Sequence, residues 1–60
     1  MLWEQIHAIA GLSTLMKCHQ NSCSWTDGPP IALFRADGCW CVRYASGNWW
    51  HYSLKDKVWF

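Results

Sequence analysis

The sequence predicts an α+β fold, an N-terminal amphipathic helix packed on a three-stranded antiparallel β-meander. Apolar residues recur at helical spacing near the start of the chain, whereas short runs of aromatic and branched residues separated by turn sequences follow from Ile31 onward. Of the 60 residues, 52% are hydrophobic and 15% are charged. This balance is typical of one small folded domain and excludes a disordered tail.

The predicted helix spans about residues 2–18. Lys17 and His19 lie near its end, where positive charge is stabilised by the negative end of the helix dipole. Gly11 costs about 1 kcal/mol relative to alanine inside a helix. Either the helix bends there, or Ser13 caps a second helical segment. The apolar positions are Leu2, Ile6, Ile9, Ala10, Leu12, Leu15 and Met16.

Residues 19–30 are predicted to form a connecting loop, because they are rich in turn formers and contain Pro29 and Pro30, which cannot continue a helix. Strands are expected at about 31–36, 39–45 and 49–54. Two-residue turns at Asp37-Gly38 and at Gly47-Asn48 or Ser46-Gly47 would join them. Residues 58–60 are apolar enough for a short additional strand.

The two turns also determine which side chains share a face, because side chains alternate along a strand. A three-residue second loop with a bulge would change the assignment of the third strand. With two-residue turns, one face carries Ile31, Leu33, Arg35, Trp40, Val42, Tyr44, Trp49, His51 and Ser53. The other carries Ala32, Phe34, Ala36, Cys39, Cys41, Arg43, Ala45, Trp50, Tyr52 and Leu54.

Neither predicted face is polar, and one helix covers only one of them, so the other is expected to expose aromatic residues as a contact surface. We expect Trp3 and Trp50 in the helix–sheet core. The alternative is that Trp25 and residues 58–60 fold over the second face and close the core. The predicted partner-binding residues are Trp40, Tyr44, Trp49, His51 and Arg35. Each arginine of the sheet is expected to stack on a neighbouring aromatic ring.

The four cysteines admit three interpretations. Cys18, Cys23, Cys39 and Cys41 could together form a tetrahedral zinc site, which would add folding free energy to a short chain. Free thiols, buried or partly buried, are the second interpretation, and disulfides in an oxidising compartment are the third. The expected cofactor is therefore none, or zinc.

The sequence does not predict an enzyme, and no residue is assigned a catalytic role. Residues 37–50 resemble the hairpin that presents the catalytic histidine in papain-like deubiquitinases. However, Cys39 occupies the histidine position, and no helical domain is present to carry the nucleophile. A chain this short also has little room for a walled pocket and its supporting residues.

The predicted function is that of a small non-enzymatic protein–protein interaction module that binds a partner protein or forms a homodimer. Adaptors and stoichiometric inhibitors encoded by phages and mobile elements are proteins of this type. No apolar stretch is long enough for a membrane span, and a cytoplasmic location is expected.

Nucleic acid is a less favoured partner. Five Lys and Arg against four Asp and Glu leave a net charge of +1, too little for a duplex-DNA binder. Two alternatives remain. One is a single-stranded nucleic-acid binder that uses sheet aromatics with Arg35, Arg43, Lys55 and Lys57. The other is a structural zinc module.

Overall fold

A computed structural model describes the whole chain, residues 1–60. Two helices, α1 (Leu2–Ala8) and α2 (Leu12–Asn21), precede four strands, β1 (Pro30–Ala36), β2 (Cys39–Tyr44), β3 (Trp49–Ser53) and β4 (Val58–Trp59). The strands form one antiparallel sheet in the order β1-β2-β3-β4. The predicted α+β class is confirmed, with two helices and four strands instead of one helix and three strands.

The helical region divides at Gly11. Ile9 leaves the helix in an extended conformation, and Gly11 has a left-handed φ of 85°, which a residue with a Cβ adopts only with strain. Gly11 itself is the N-cap of α2, so Ser13 does not cap the second helix. Neither helix is long and apolar enough to cross a membrane.

The first hairpin has the predicted two-residue turn. Asp37 and Gly38 have φ values of 54° and 76°, and Ala36 pairs with Cys39 on either side of them. Positive φ at both central residues is the geometry that joins two twisted antiparallel strands most closely. From Ala32 onward the face assignment of β1 and β2 therefore agrees with the prediction, whereas the register shifts between Pro30 and Ala32, so that Pro30 pairs with Tyr44.

The second hairpin has a three-residue loop, and the predicted two-residue turn is wrong. Tyr44 N–H donates to Asn48 O at 2.8 Å, and Gly47 N–H donates to Tyr44 O at 2.9 Å. Gly47 closes this loop with a φ of 95°. Because the register moves by an odd number of residues, every side chain of β3 lies on the face opposite to the predicted one.

The resulting inner face of the sheet carries Val42, Tyr44, Trp50 and Tyr52, and the outer face carries Phe34, Cys41, Trp49 and His51. Both helices pack on the inner face. The buried core consists of Ile6, Leu12, Leu15 and Met16 from the helices with Val42, Tyr44 and Tyr52 from the sheet.

The six tryptophans are distributed differently from the prediction. Trp50 packs against the core as expected, but Trp40 does so as well. Trp3 is 49% exposed and lies beside His7, so its predicted place in the core is wrong. Trp25 and Trp59 pack against the inner core, and they therefore do not cover the outer face.

Candidate functional site

Four aromatic rings are in continuous contact on the outer face, and we call them the outer aromatic row: Phe34, Trp49, His51 and Phe60. The ring centroids are 5.3 Å apart for Phe34 and Trp49, and 4.9 Å apart for Trp49 and His51. His51 and Phe60 stack at 4.5 Å with an interplanar angle of 7°. Trp49 is 43% exposed and Phe60 is 58% exposed, so these two rings of the row present apolar surface to solvent.

Polar contacts hold His51 at the centre of the row. Its Nε2 lies 2.9 Å from Oδ2 of Asp37 in the first turn, and Nε2–H is the donor because a carboxylate only accepts. The backbone N–H of His51 donates to Phe60 O at 2.8 Å, and Phe60 N–H donates to His51 O at 3.1 Å. These contacts fix the orientation of the His51 ring and hold Phe60 beside it.

The structure does not bring the five predicted partner-binding residues together. Trp49 and His51 belong to the outer aromatic row, whereas Trp40, Tyr44 and Arg35 lie on the inner face. Tyr44 is fully buried. The Arg35 guanidinium lies 4.9 Å from the Trp40 ring centroid, which confirms the stacking expected for this arginine.

Phe34 and Phe60 join the row although the sequence did not single them out. Phe34 was predicted on its face correctly, but the misplaced β3 register put it beside Trp50 and Tyr52 instead of Trp49 and His51. The glycine at the third position of the loop 45–47 is the one signal that could have indicated the observed register, because a left-handed residue commonly ends a three-residue loop.

A second polar cluster lies under the helices. Nδ1 of His19 is 2.7 Å from the Tyr52 hydroxyl, which is 2.6 Å from the Tyr44 hydroxyl. Burial lowers the pKa of His19, although the nearby Asp27 carboxylate partly opposes this change. Burial also raises the pKa of both tyrosine hydroxyls. The three side chains are therefore uncharged at neutral pH, and their hydrogen bonds hold α2 against the sheet.

Asp27 connects the loop 22–29 to the second hairpin. Its Oδ1 accepts from Asn48 Nδ2 at 2.8 Å and from Ser46 Oγ at 2.9 Å, and its Oδ2 accepts from Trp50 Nε1 at 3.1 Å. The hydrogen bonds from Asn48 and Ser46 are the main cause of a lowered Asp27 pKa. The carboxylate therefore stays ionised and holds the hairpin loop in place.

All four cysteines are free thiols. No group of three or more His, Cys, Asp or Glu side chains is placed to hold a metal ion, so the four predicted zinc ligands Cys18, Cys23, Cys39 and Cys41 do not form one site. Cys41 pairs with His51 across the strands but is fully buried, and burial raises the pKa of its thiol. Its sulfur is thus a poor nucleophile beside the His51–Asp37 pair.

The fold and the outer aromatic row define a small α+β domain with an aromatic sheet face on which neither helix packs. Neither models of protein families, nor curated proteins, nor solved structures give a match to this chain.

Proposed function

We propose that this chain is a non-enzymatic interaction module that binds an apolar patch on a partner protein through the outer aromatic row. The exposure of Trp49 and Phe60 within a row of touching rings is the observation that carries the proposal. Both helices pack on the other face, so neither helix covers these rings, and the 14% exposed His51 is covered by the stacked ring of Phe60. Tryptophan in such a position is typical of binding hot spots.

Charged groups beside the row support a protein partner over a nucleic acid. Arg43 lies opposite Trp49 in the strand register. The Asp37 carboxylate, which accepts from His51, is 78% exposed. One cation and one anion next to an apolar centre resemble the polar rim of a protein interface. They do not provide the continuous basic track that single-stranded nucleic acid requires. Arg35 cannot extend such a track, because it stacks on Trp40 on the inner face.

The small size of the chain favours action by occupancy. A protein of 60 residues that covers a surface of a larger protein acts as an adaptor or as a stoichiometric inhibitor. Its four free thiols, two of them exposed, support a reducing compartment such as the cytoplasm.

A matched pair of variants tests the proposal. Trp49→Ala removes a ring of the row, whereas Trp3→Ala removes a tryptophan that is exposed to a similar extent, 49% against 43%, outside the row. Each variant is immobilised and used to capture proteins from the cells that produce the chain. In a separate experiment, light scattering measures the mass of each purified variant in solution. We expect a specific partner to be retained by the wild type and by Trp3→Ala but lost by Trp49→Ala.

A second copy of the chain is the other outcome to be distinguished. A dimeric mass that Trp49→Ala converts to a monomeric mass would show that the row joins two copies. If the variants are monomeric and retain identical sets of proteins, the row has no binding role and the proposal fails.

A further inference from the structure

A groove of about 680 Å³ lies between α2 and the turn that joins β3 to β4. Leu15, Leu54 and Trp59 provide apolar surface in it, and Thr14 and Cys18 add a hydroxyl and a thiol from the helix. The volume and the ratio of apolar to polar groups are those of small-molecule sites. The groove shares no residue with the outer aromatic row, so its role does not depend on the proposed function.

Lys57 is the only charged side chain that lines the groove, and no carboxylate lines it. Lys57 is exposed to solvent and lies beside the apolar lining residues. An apolar surface with one cation at its edge is complementary to a molecule with an apolar chain and a single anionic head.

The backbone of Lys57 has a positive φ, which is uncommon for a residue other than glycine. Its φ is 56°, in the left-handed region that glycine, asparagine and aspartate adopt more readily than lysine. Ser53 pairs with Val58, so Lys57 is the last residue of a four-residue connection, where glycine would fit the backbone with less strain. The chain instead places a long cationic side chain at this position, beside the groove.

We propose that this groove binds a medium-chain carboxylate, with the hydrocarbon chain against Leu15, Leu54 and Trp59 and the carboxylate at the ammonium group of Lys57. No covalent step is involved. The surface is open to solvent, so the expected affinity is weak and the binding is readily reversible.

Two exposed thiols make a direct test available in the unmodified protein. Cys18 lines the groove, and Cys23 lies outside it, so Cys23 is an internal reference. The rate at which iodoacetamide alkylates each cysteine is measured by peptide mass spectrometry in the presence of decanoate or decyltrimethylammonium. Decanoate at ten times its Kd should slow alkylation of Cys18 about tenfold and leave Cys23 unchanged, because only the free protein reacts. Decyltrimethylammonium should protect neither thiol.

Two variants of the same turn test the role of the cation. Lys57→Asn keeps a residue that tolerates positive φ and should raise the decanoate concentration for half-protection by about two- to fivefold, the range of an exposed ion pair. Lys55→Asn, outside the groove, should have no effect. Equal protection of Cys18 and Cys23, protection by the ammonium compound, an unchanged Cys18 rate, or equal behaviour of the two variants would each overturn the proposal.

Discussion

The Tyr52 hydroxyl lies 2.7 Å from Nδ1 of His19 and 2.6 Å from the Tyr44 hydroxyl, so one oxygen satisfies two buried polar groups. Rings of Trp50 and Trp59 contact the same imidazole, with centroids 4.5 Å and 5.0 Å from it. A helix and two strands are thereby joined through a polar contact inside an aromatic core. Such a contact is costly to break, because the groups left behind have no access to water.

Tyr52→Phe should therefore destabilise the protein by roughly 1–3 kcal/mol, since it leaves both the His19 nitrogen and the Tyr44 hydroxyl without this partner. Urea unfolding followed by circular dichroism measures the change. Tyr44→Phe is the control, because Tyr52 then keeps its hydrogen bond to His19, and it should cost less. A Tyr52→Phe protein as stable as the wild type would contradict the assigned hydrogen bonds.

Acidification should destabilise the protein below pH 6.5. The His19 pKa is lowered from 6.5 in the folded state, so the unfolded chain takes up a proton first, and the stability present above pH 6.5 is lost as the pH falls. Urea unfolding at a series of pH values measures this slope. His19→Gln should flatten it between pH 6.5 and the range in which carboxylates titrate. An unaltered slope in that variant would assign the effect to another group.

The alkaline limit of stability should reflect the buried phenols. Burial raises the pKa of Tyr44 and Tyr52 from 10.0, so above that pH the unfolded chain releases protons that the folded chain retains. Stability is therefore expected to fall as the pH rises above 10. Ultraviolet absorbance at the tyrosinate band should show both phenols ionising only together with unfolding. Ionisation of both in the folded protein would contradict their burial.

Gly47→Ala should destabilise the second hairpin by about 1–2 kcal/mol, because a Cβ at this residue meets no atom within 4 Å but is strained at a φ of 95°. Gly47→Asn should cost less, since asparagine tolerates the left-handed region. Chemical unfolding of both variants gives the comparison. Equal stability of the alanine and asparagine variants would mean that backbone conformation is not the cause.

Asp27→Asn should loosen the contact between the loop 22–29 and the second hairpin, because the neutral amide is a weaker acceptor and one of its two ends can only donate. We expect faster hydrogen exchange at the Ser46 amide, which donates to Asp27 O. Asp56→Asn, at an exposed residue, is the matched control and should leave this amide unchanged. Identical exchange in both variants would remove the structural role given to Asp27.

Features determined by neighbouring residues could be predicted from the sequence. The turn at Asp37-Gly38 follows from the backbone preferences of two residues and occurs in the structure. Gly11 was recognised as a point where the predicted single helix could bend or a second segment could begin, and two helices are observed there. That one helical layer would leave a sheet face without helices followed from the short chain, but the residues on that face depended on the second turn. Ser46-Gly47-Asn48 fits a two-residue or a three-residue loop. The residue that contacts this loop, Asp27, is 19 positions away from Ser46 in the chain.

The candidate site was only half predictable for the same reason. Trp49 and His51 were predicted as partner-binding residues and belong to the outer aromatic row, but Trp40 and Tyr44 were assigned as their neighbours through a register that does not form. The groove beside Lys57 depends on how α2 sits over the turn between β3 and β4. Sequence spacing contains no information about that placement.

The three-residue loop determines which face of the third strand packs on the core. The third strand reads Trp-Trp-His-Tyr from Trp49 to Tyr52, so each of its two faces offers one tryptophan and one smaller ring. Shifting the strand by one residue would bury Trp49 and His51 in place of Trp50 and Tyr52, and hydrophobicity alone distinguishes these arrangements poorly. In the native register, Trp50 Nε1–H donates a hydrogen bond to Oδ2 of Asp27. The Asp27 carboxylate thus favours the native register, because the shifted strand would move the Trp50 indole to the other face and lose this hydrogen bond.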